Sequence, residues 1–464
     1  MGLSSEAATA AIRAGDPEGA ALVLEIGRGV LFRQRLDQRS DRTDLEAVSP
    51  DLARRFDEIC ELLDLPVTDR SPPGVIALHR QAGEEFDRLM HEARQLPGFE
   101  DFMRPPAVDL LHEAAIDGPL VYLISSTFGC DALIVTREYI RPLELADIEL
   151  SRVLELFAVF SVNMTISQDT RLDATMRSDA ERAMTADLEW LWKHVCKPIL
   201  DVLGYVRTPG PEDEWPRVWW VPVGMFAWLP LHAAGEPTGA AGQSVDAQVI
   251  SSYTPTALAL LHARNAPPAA RVQLTVVAMP RTNGFPDLPN ADAEAQYLKE
   301  MFGSACTLLH PDARPPTRSA VVEALGTSTW VHFVCHGQSG AADPAESALM
   351  LFDGPLTAAA LARLRLAGEL AFFSACSTAE SKGYMADEAL HLAAAAQLAG
   401  FRRVVGTLWP IYDDEASRIV ESFYRALQSD PSRSASALHS AVRASARRNP
   451  IRPSRWVPFV HIGP

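Results

Sequence analysis

The sequence predicts an α/β fold, a mostly parallel sheet flanked by helices, behind a helical N-terminal region. Three observations predict it. From Arg217 onward, short β-branched or apolar runs (Val218–Val221, Val249–Ser252, Val272–Ala278, Thr329–Cys335, Glu369–Cys376 and Arg403–Leu408) alternate with helical patterns. That alternation builds a parallel sheet covered by helices on both faces. The chain has 464 residues, about three times the roughly 150 of a typical domain, so two or three structural units are expected. Hydrophobic residues at 47% and charged residues at 22% are ordinary for a globular core.

In chain order, Glu6–Gln38 carries apolar residues at helical spacing and is broken at Gly15-Asp16-Pro17. Proline suits the first turn of a helix, so the break predicts a helical hairpin. The hairpin is similar to the last unit of a tetratricopeptide array, without a second copy at a period near ~34 residues. Helical patterns continue through Pro50–Leu63 and Val75–Leu96. Leu120–Ser125 and Ala132–Thr136, separated by Phe128-Gly129-Cys130-Asp131, predict a β-hairpin. A helical stretch follows from Leu143 to Leu203, interrupted near Asp169–Ser178, and the Pro-rich, acidic segment Pro209–Pro216 predicts a loop.

Charge and composition narrow the function. Fifty-nine acidic against forty-two basic residues give a formal charge of −17, which repels a phosphate backbone, so nucleic acid is not an expected partner. No apolar run reaches the ~18 residues of a membrane span, and the first thirty residues lack a basic region followed by an apolar stretch. A cytoplasmic protein without a membrane partner is expected. The six cysteines show no C-x-x-C pair and no zinc-like alternation with histidines, which predicts reduced thiols and no metal.

Two strand patterns end in reactive side chains: Trp330–Gly337, ending in His336-Gly337, and Leu370–Ser377, containing Cys376. Ligands bind outside the carboxyl ends of strands in an open α/β sheet, so neighbouring strands of this kind unite an imidazole and a thiol. Ala348–Phe352 as a strand and Pro355–Leu364 as a helix supply the crossover between them. A free thiol with pKa near ~8.5 is only slightly ionised at neutral pH, and an amide's leaving nitrogen needs a proton. Histidine serves both needs. Gly337, with no side chain to block a carbonyl, and Cys376 offer N–H groups for an oxyanion hole. As bare residues, a Cys and a His at strand ends are more often structural than catalytic.

The wider pattern resembles the CHAT domain, a relative of caspases and separases. It comprises His336-Gly337, Ser374-Ala375-Cys376-Ser377-Thr378, and Ala399-Gly400-Phe401 through Gly406-Thr407-Leu408-Trp409-Pro410. Pro222-Val223-Gly224, Leu229–Gly235, Ser251–Thr256 and Trp456-Val457-Pro458-Phe459 extend it over about residues 180–464. The resemblance implies a caspase-like cysteine peptidase with His336 and Cys376 as dyad and no cofactor. It further implies three parts: 1–100 helical, 101–270 a degenerate protease half such as separases have, and 271–464 the catalytic half. The Q-A-C-[RQG]-G signature of caspases is not matched, so aspartate-directed cleavage is not implied.

Asp413 and Asp414 fall where separases carry acidic residues near the pocket for a basic P1 side chain, which suggests Arg or Lys at P1. The same carboxylates fit the first turn of a helix Asp413–Leu427, and that capping role is the favoured reading. His332 and Cys335 read as packed strand residues, and His232 reads as support as readily as a crevice residue. The tryptophans at 190, 192, 215, 219, 220 and 228 read as core or interface anchors, and Arg443–Arg452 as a solvated helix end.

The likeness implies regulated, limited proteolysis of a protein partner. Proteins of this type join an upstream repeat-type sensor to the protease, and some bacterial members activate immune effectors, including gasdermin-like pore formers. Two rival expectations are a catalytically silent scaffold of the same fold and an acyl transferase using an amine instead of water.

Overall fold

A computed structural model describes residues 3–27, 45, 48–63, 73–97, 99, 107–146, 148–210, 212–236, 243–338, 346–374, 376–377, 387–409, 413–427 and 430–464. They fall into two units, residues 1–27 with 108–464, and residues 28–107.

In the larger unit the predicted hairpin forms as β1 (Leu120–Ser126) and β2 (Gly129–Val135), paired from Leu120 opposite Val135 to Ser126 opposite Gly129. β3 (Ile140–Glu144) continues the meander. It replaces the start of the helical stretch expected from Leu143, and its Pro142 is tolerated because β3 lies at the sheet edge. Next come β4 (Arg217–Pro222) and β5 (Ile250–Tyr253), then β6 (Leu274–Ala278), β7 (Cys306–Leu309) and β8 (Trp330–Val334). Beyond β8 lie β9 (His336–Gln338), β10 (Ala348–Leu351) and β11 (Gly354–Thr357). The last are β12 (Gly368–Phe373), β13 (Cys376–Ser377), β14 (Phe401–Thr407) and β15 (Phe459–Ile462).

The main sheet runs β3-β2-β1-β4-β5-β15-β14-β12-β8-β6-β7. Its pairs are parallel except for β1–β2, β2–β3 and β14–β15, so the mostly parallel sheet is present. β15 joins the strands of residues 120–253 to those of 274–407 in one sheet. Burial is complete along β1, β6, β8 and β12, as expected of strands covered on both faces. Trp192, Trp219, Trp220 and Trp330 are among the largest fully buried side chains. The crossover expected at Pro355–Leu364 is strand β11 followed by a short helix, Ala358–Ala362.

The N-terminal hairpin forms as helices Leu3–Arg13 and 17–27, with Asp16 accepting from the Gly19 N–H at 2.8 Å. The part of Glu6–Gln38 beyond residue 27 lies outside the described residues. Buried Glu25 accepts from Tyr122 Oη at 2.7 Å and from the Ala257 N–H at 2.9 Å. The hairpin is thereby fastened to β1 and to the start of the helix Ala257–Asn265. Ala8, Ala20, Ala21 and Leu24 pack with Leu120, Tyr122 and Ile124 in one cluster; alanines let helix and sheet approach closely. Helix Leu150–Gln168 is long and apolar enough to cross a membrane by length and composition, yet Val153, Leu156, Phe157, Phe160 and Met164 are buried within the unit.

In the smaller unit, helices Pro50–Leu63 and Pro73–Ala93 enclose Leu52, Phe56, Leu89 and Ala93. Phe56 meets Phe86 with ring centres 5.1 Å apart, and Arg55 bridges Glu85 and Glu92 at 3.1 and 3.2 Å.

Candidate active site

Strands β8 and β12 are parallel neighbours, with Leu370 opposite Trp330 and Phe373 opposite Phe333. Both continue past their ends: the Ser374 N–H donates to the Phe333 carbonyl at 2.9 Å. The extensions pair again as β9 and β13, with Cys376 opposite His336 and Ser377 opposite Gly337. The register is unchanged throughout (370 − 330 = 40 and 376 − 336 = 40). The forty residues between His336 and Cys376 are therefore the offset that sets the two backbones side by side, at an interstrand spacing of about 4.8 Å. β9 and β13 belong to a separate four-stranded sheet, β11-β10-β9-β13.

The His336 imidazole is buried, at 2% exposure. Its Nε2 lies 2.7 Å from the Pro286 carbonyl oxygen. A carbonyl only accepts, so Nε2 carries the hydrogen and, in the neutral ring, Nδ1 carries the lone pair. Nδ1 is buried without a hydrogen-bond partner among the described residues. Phe285 stacks on the ring with centres 5.0 Å apart and planes 21° apart. Burial pushes the His336 pKa below its ordinary value, and the Pro286 carbonyl opposes that shift by favouring the protonated ring. The arrangement is an oriented, neutral imidazole with one spare acceptor nitrogen.

Gly337 sits on β9 between Leu349 of β10 and Ser377 of β13. Asp413 and Asp414 open the helix Asp413–Leu427, whose bounds are those read from the sequence. It follows β14, the strand beside β12. In the same first turn Glu415 is buried, and its oxygens accept from Ser445 Oγ at 2.6 Å and Arg448 at 2.7 Å. Burial raises the Glu415 pKa, but Ser445, Arg448 and Arg418 outweigh it, leaving a net lowering.

His332, four residues before His336, has both nitrogens occupied, by Glu294 at 2.7 Å and Tyr424 at 3.0 Å. It is a satisfied core histidine, and Cys335, next to His336 in sequence, is buried. His232 is likewise held by Tyr253 Oη and the Val457 carbonyl, each at 2.9 Å. Burial pushes its pKa down to about 4, so it acts as a neutral bracket between β5 and the segment before β15.

Sequence reasoning missed Pro286 and Phe285. A backbone carbonyl has no residue signature, and the loop holding it follows β6, whose place beside β8 is not readable from chain order. With that strand order, β6, β8 and β12 supply Pro286, His336 and Cys376 from three adjacent strand ends. Among the described residues no group of three His, Cys, Asp or Glu side chains could hold a metal ion.

The CHAT domain profile matches residues 185–464. Two structures of the Saccharomyces cerevisiae separase–securin complex share the fold. One aligns with a TM-score of 0.54 at 11% identity over 89% of this chain and 33% of that chain. The other gives 0.52 at 10% identity over 97% and 38%. At these identities the likeness is one of fold, and this chain spans about a third of the length of the separase chains it matches. No curated protein matches the sequence.

Proposed function

The chain belongs to the CHAT domain family, and on that premise we propose that it is a cysteine endopeptidase whose nucleophile is Cys376 and whose acid-base group is His336. The observation that carries this reading is the pairing of Cys376 with His336, beside an imidazole whose Nε2–H is fixed on Pro286 and whose Nδ1 has no partner among the described residues.

In the reaction, the Cys376 thiol gives its proton to His336 Nδ1 and the sulfur attacks the scissile carbonyl carbon. The oxygen of the tetrahedral intermediate takes N–H donors from Gly337 and Cys376, which requires the Gly337 N–H to point out of the β9–β10 ladder. The C–N bond then breaks, the amine leaves with the proton from His336, and a thioester remains. Water, losing a proton to His336, hydrolyses the thioester and regenerates the thiol. Every group-transfer step is served by side chain, backbone and water, so no cofactor is assigned.

Regulated, limited cleavage of a protein partner is the substrate class. The matched separase was solved with securin, a protein partner, and the family likeness supports a gasdermin-like effector as substrate and an upstream sensor as activator. The 2% exposure of His336 favours regulation, because a substrate has to displace what covers the ring. Asp413 and Asp414 are assigned first as helix-opening carboxylates and second as the recognition pair for a basic P1 residue.

The test is a peptide library incubated with wild type and with Cys376→Ala. Cleavage by wild type alone supports the peptidase. Turnover retained in Cys376→Ala overturns the nucleophile, and saturable peptide binding with no turnover in either protein makes the domain a scaffold.

A further inference from the structure

A cleft outside the proposed dyad lies between the chain entering β4 and β5 and the helix Ser434–Arg448. Its volume is about 260 Å³, and its lining includes Trp215, Ile250, His439, Ser440, Arg443 and Arg447. Among the described residues no carboxylate lines it, on a chain whose net charge is −17.

Two cations face this space. The Arg443 guanidinium lies 5.0 Å from the Trp215 ring centre and 3.7 Å from the Asp246 carboxylate. Arg447 is exposed and has no ion-pair partner among the described residues. The two are one helical turn apart, so their Cβ atoms are roughly 5–6 Å from each other. His439 packs edge-on to Trp215, ring centres 4.8 Å apart, and its Nε2 is buried without a partner among the described residues. Burial, helped by Arg443, pushes the His439 pKa down to about 4, so the ring is neutral at pH 7 and adds no charge to the cleft.

An apolar occupant would strip water from two guanidiniums. A cation would meet like charge. Guanidinium forks match phosphoryl oxygens in shape and charge, and the volume equals roughly nine water volumes at about 30 Å³ each. We propose that this cleft binds a small diphosphate-bearing anion, gripped by Arg443 and Arg447, with Trp215 as its wall.

The test is calorimetric titration of the full chain with inorganic pyrophosphate and, separately, ADP, at constant ionic strength set with chloride. Saturable one-to-one binding is expected, weakened about tenfold or more by Arg447→Gln and by Arg443→Gln, and unchanged by Arg425→Gln on the helix Asp413–Leu427. Arg447 and Arg425 are both exposed, so neither change threatens folding. Equal affinity for the two probes identifies the diphosphate alone as the ligand group, and tighter ADP binding adds a contact with its organic part. No saturable binding, or binding that Arg447→Gln and Arg443→Gln leave unchanged, overturns the proposal. Binding is read without any peptide turnover, so the result stands apart from the peptidase assignment.

Discussion

Phe285→Ala removes the ring that stacks on His336 at 5.0 Å while leaving the Pro286 carbonyl in the chain. Two effects follow with definite signs. An aromatic stack of this kind contributes about 0.5–1.5 kcal/mol, and losing it lets the imidazole leave the orientation that the stack and the Pro286 carbonyl hold. Converted through the barrier, that is about a two- to tenfold loss in kcat. Burial is also what lowers the His336 pKa, so admitting water raises it toward the ordinary histidine value. The reactive form needs the neutral ring, so the acid limb of kcat/KM moves to higher pH. The assay is a pH–rate profile on a cleaved fluorogenic peptide for wild type, Phe285→Ala and Phe285→Tyr, the tyrosine keeping the stack. A profile that Phe285→Ala shifts and Phe285→Tyr restores supports the reasoning. An unmoved acid limb in the alanine variant, whatever its kcat, refutes it.

Further outcomes follow from the same contacts. His232 and His439 are held neutral by burial, with folded pKa values of about 4 against 6.5 when unfolded. Below pH 6.5 the unfolded chain binds protons the folded chain refuses, so stability is full above that pH and falls until about pH 4. The loss is roughly 3 kcal/mol per histidine at 1.36 kcal/mol per pH unit, and urea unfolding across that range reads it; stability flat from pH 7 to 4 contradicts the assignment. Glu25→Ala leaves Tyr122 Oη and the Ala257 N–H without their acceptor and should destabilise by about 1–3 kcal/mol, seen as a lower midpoint with unchanged cleavage of peptides at saturating substrate. Asp413→Asn with Asp414→Asn separates capping from recognition. A lowered midpoint with unchanged preference among P1 residues supports capping, and a selective loss of activity on Arg and Lys substrates supports a P1 pocket.

Much of the fold is legible in the chain because its strands are buried on both faces and so appear as continuous apolar runs. β6, β8, β12 and β14 all fall within or beside the runs expected for them. The strands that escaped are those whose pattern is weak for a physical reason. β3 and β7 are edge strands of five and four residues. β15 is a four-residue strand containing His461, whose nitrogens are met by Ser252 and Ser434 at 2.9 Å each, partners unreadable from the local run. Glycine at position 400 was legible as part of a motif, and its cause is now visible: φ is +114° and a Cβ would collide with the Leu366 carbonyl oxygen. At the site, the pairing of Cys376 with His336 follows from spacing and strand order together. The Pro286 contact depends on β6 lying beside β8, and that adjacency is a property of the sheet rather than of any residue.

The claim that a paired imidazole activates Cys376 is tested most directly by mapping which thiol a trace of iodoacetamide alkylates first at pH 7. Cys130, Cys196 and Cys306 are buried, and burial pushes their pKa values up, to about 12 for Cys130. The account predicts that Cys376 is labelled well ahead of them, and that His336→Asn slows that labelling about tenfold or more. Labelling of Cys376 no faster than of the buried thiols, or at a rate indifferent to His336, would contradict it.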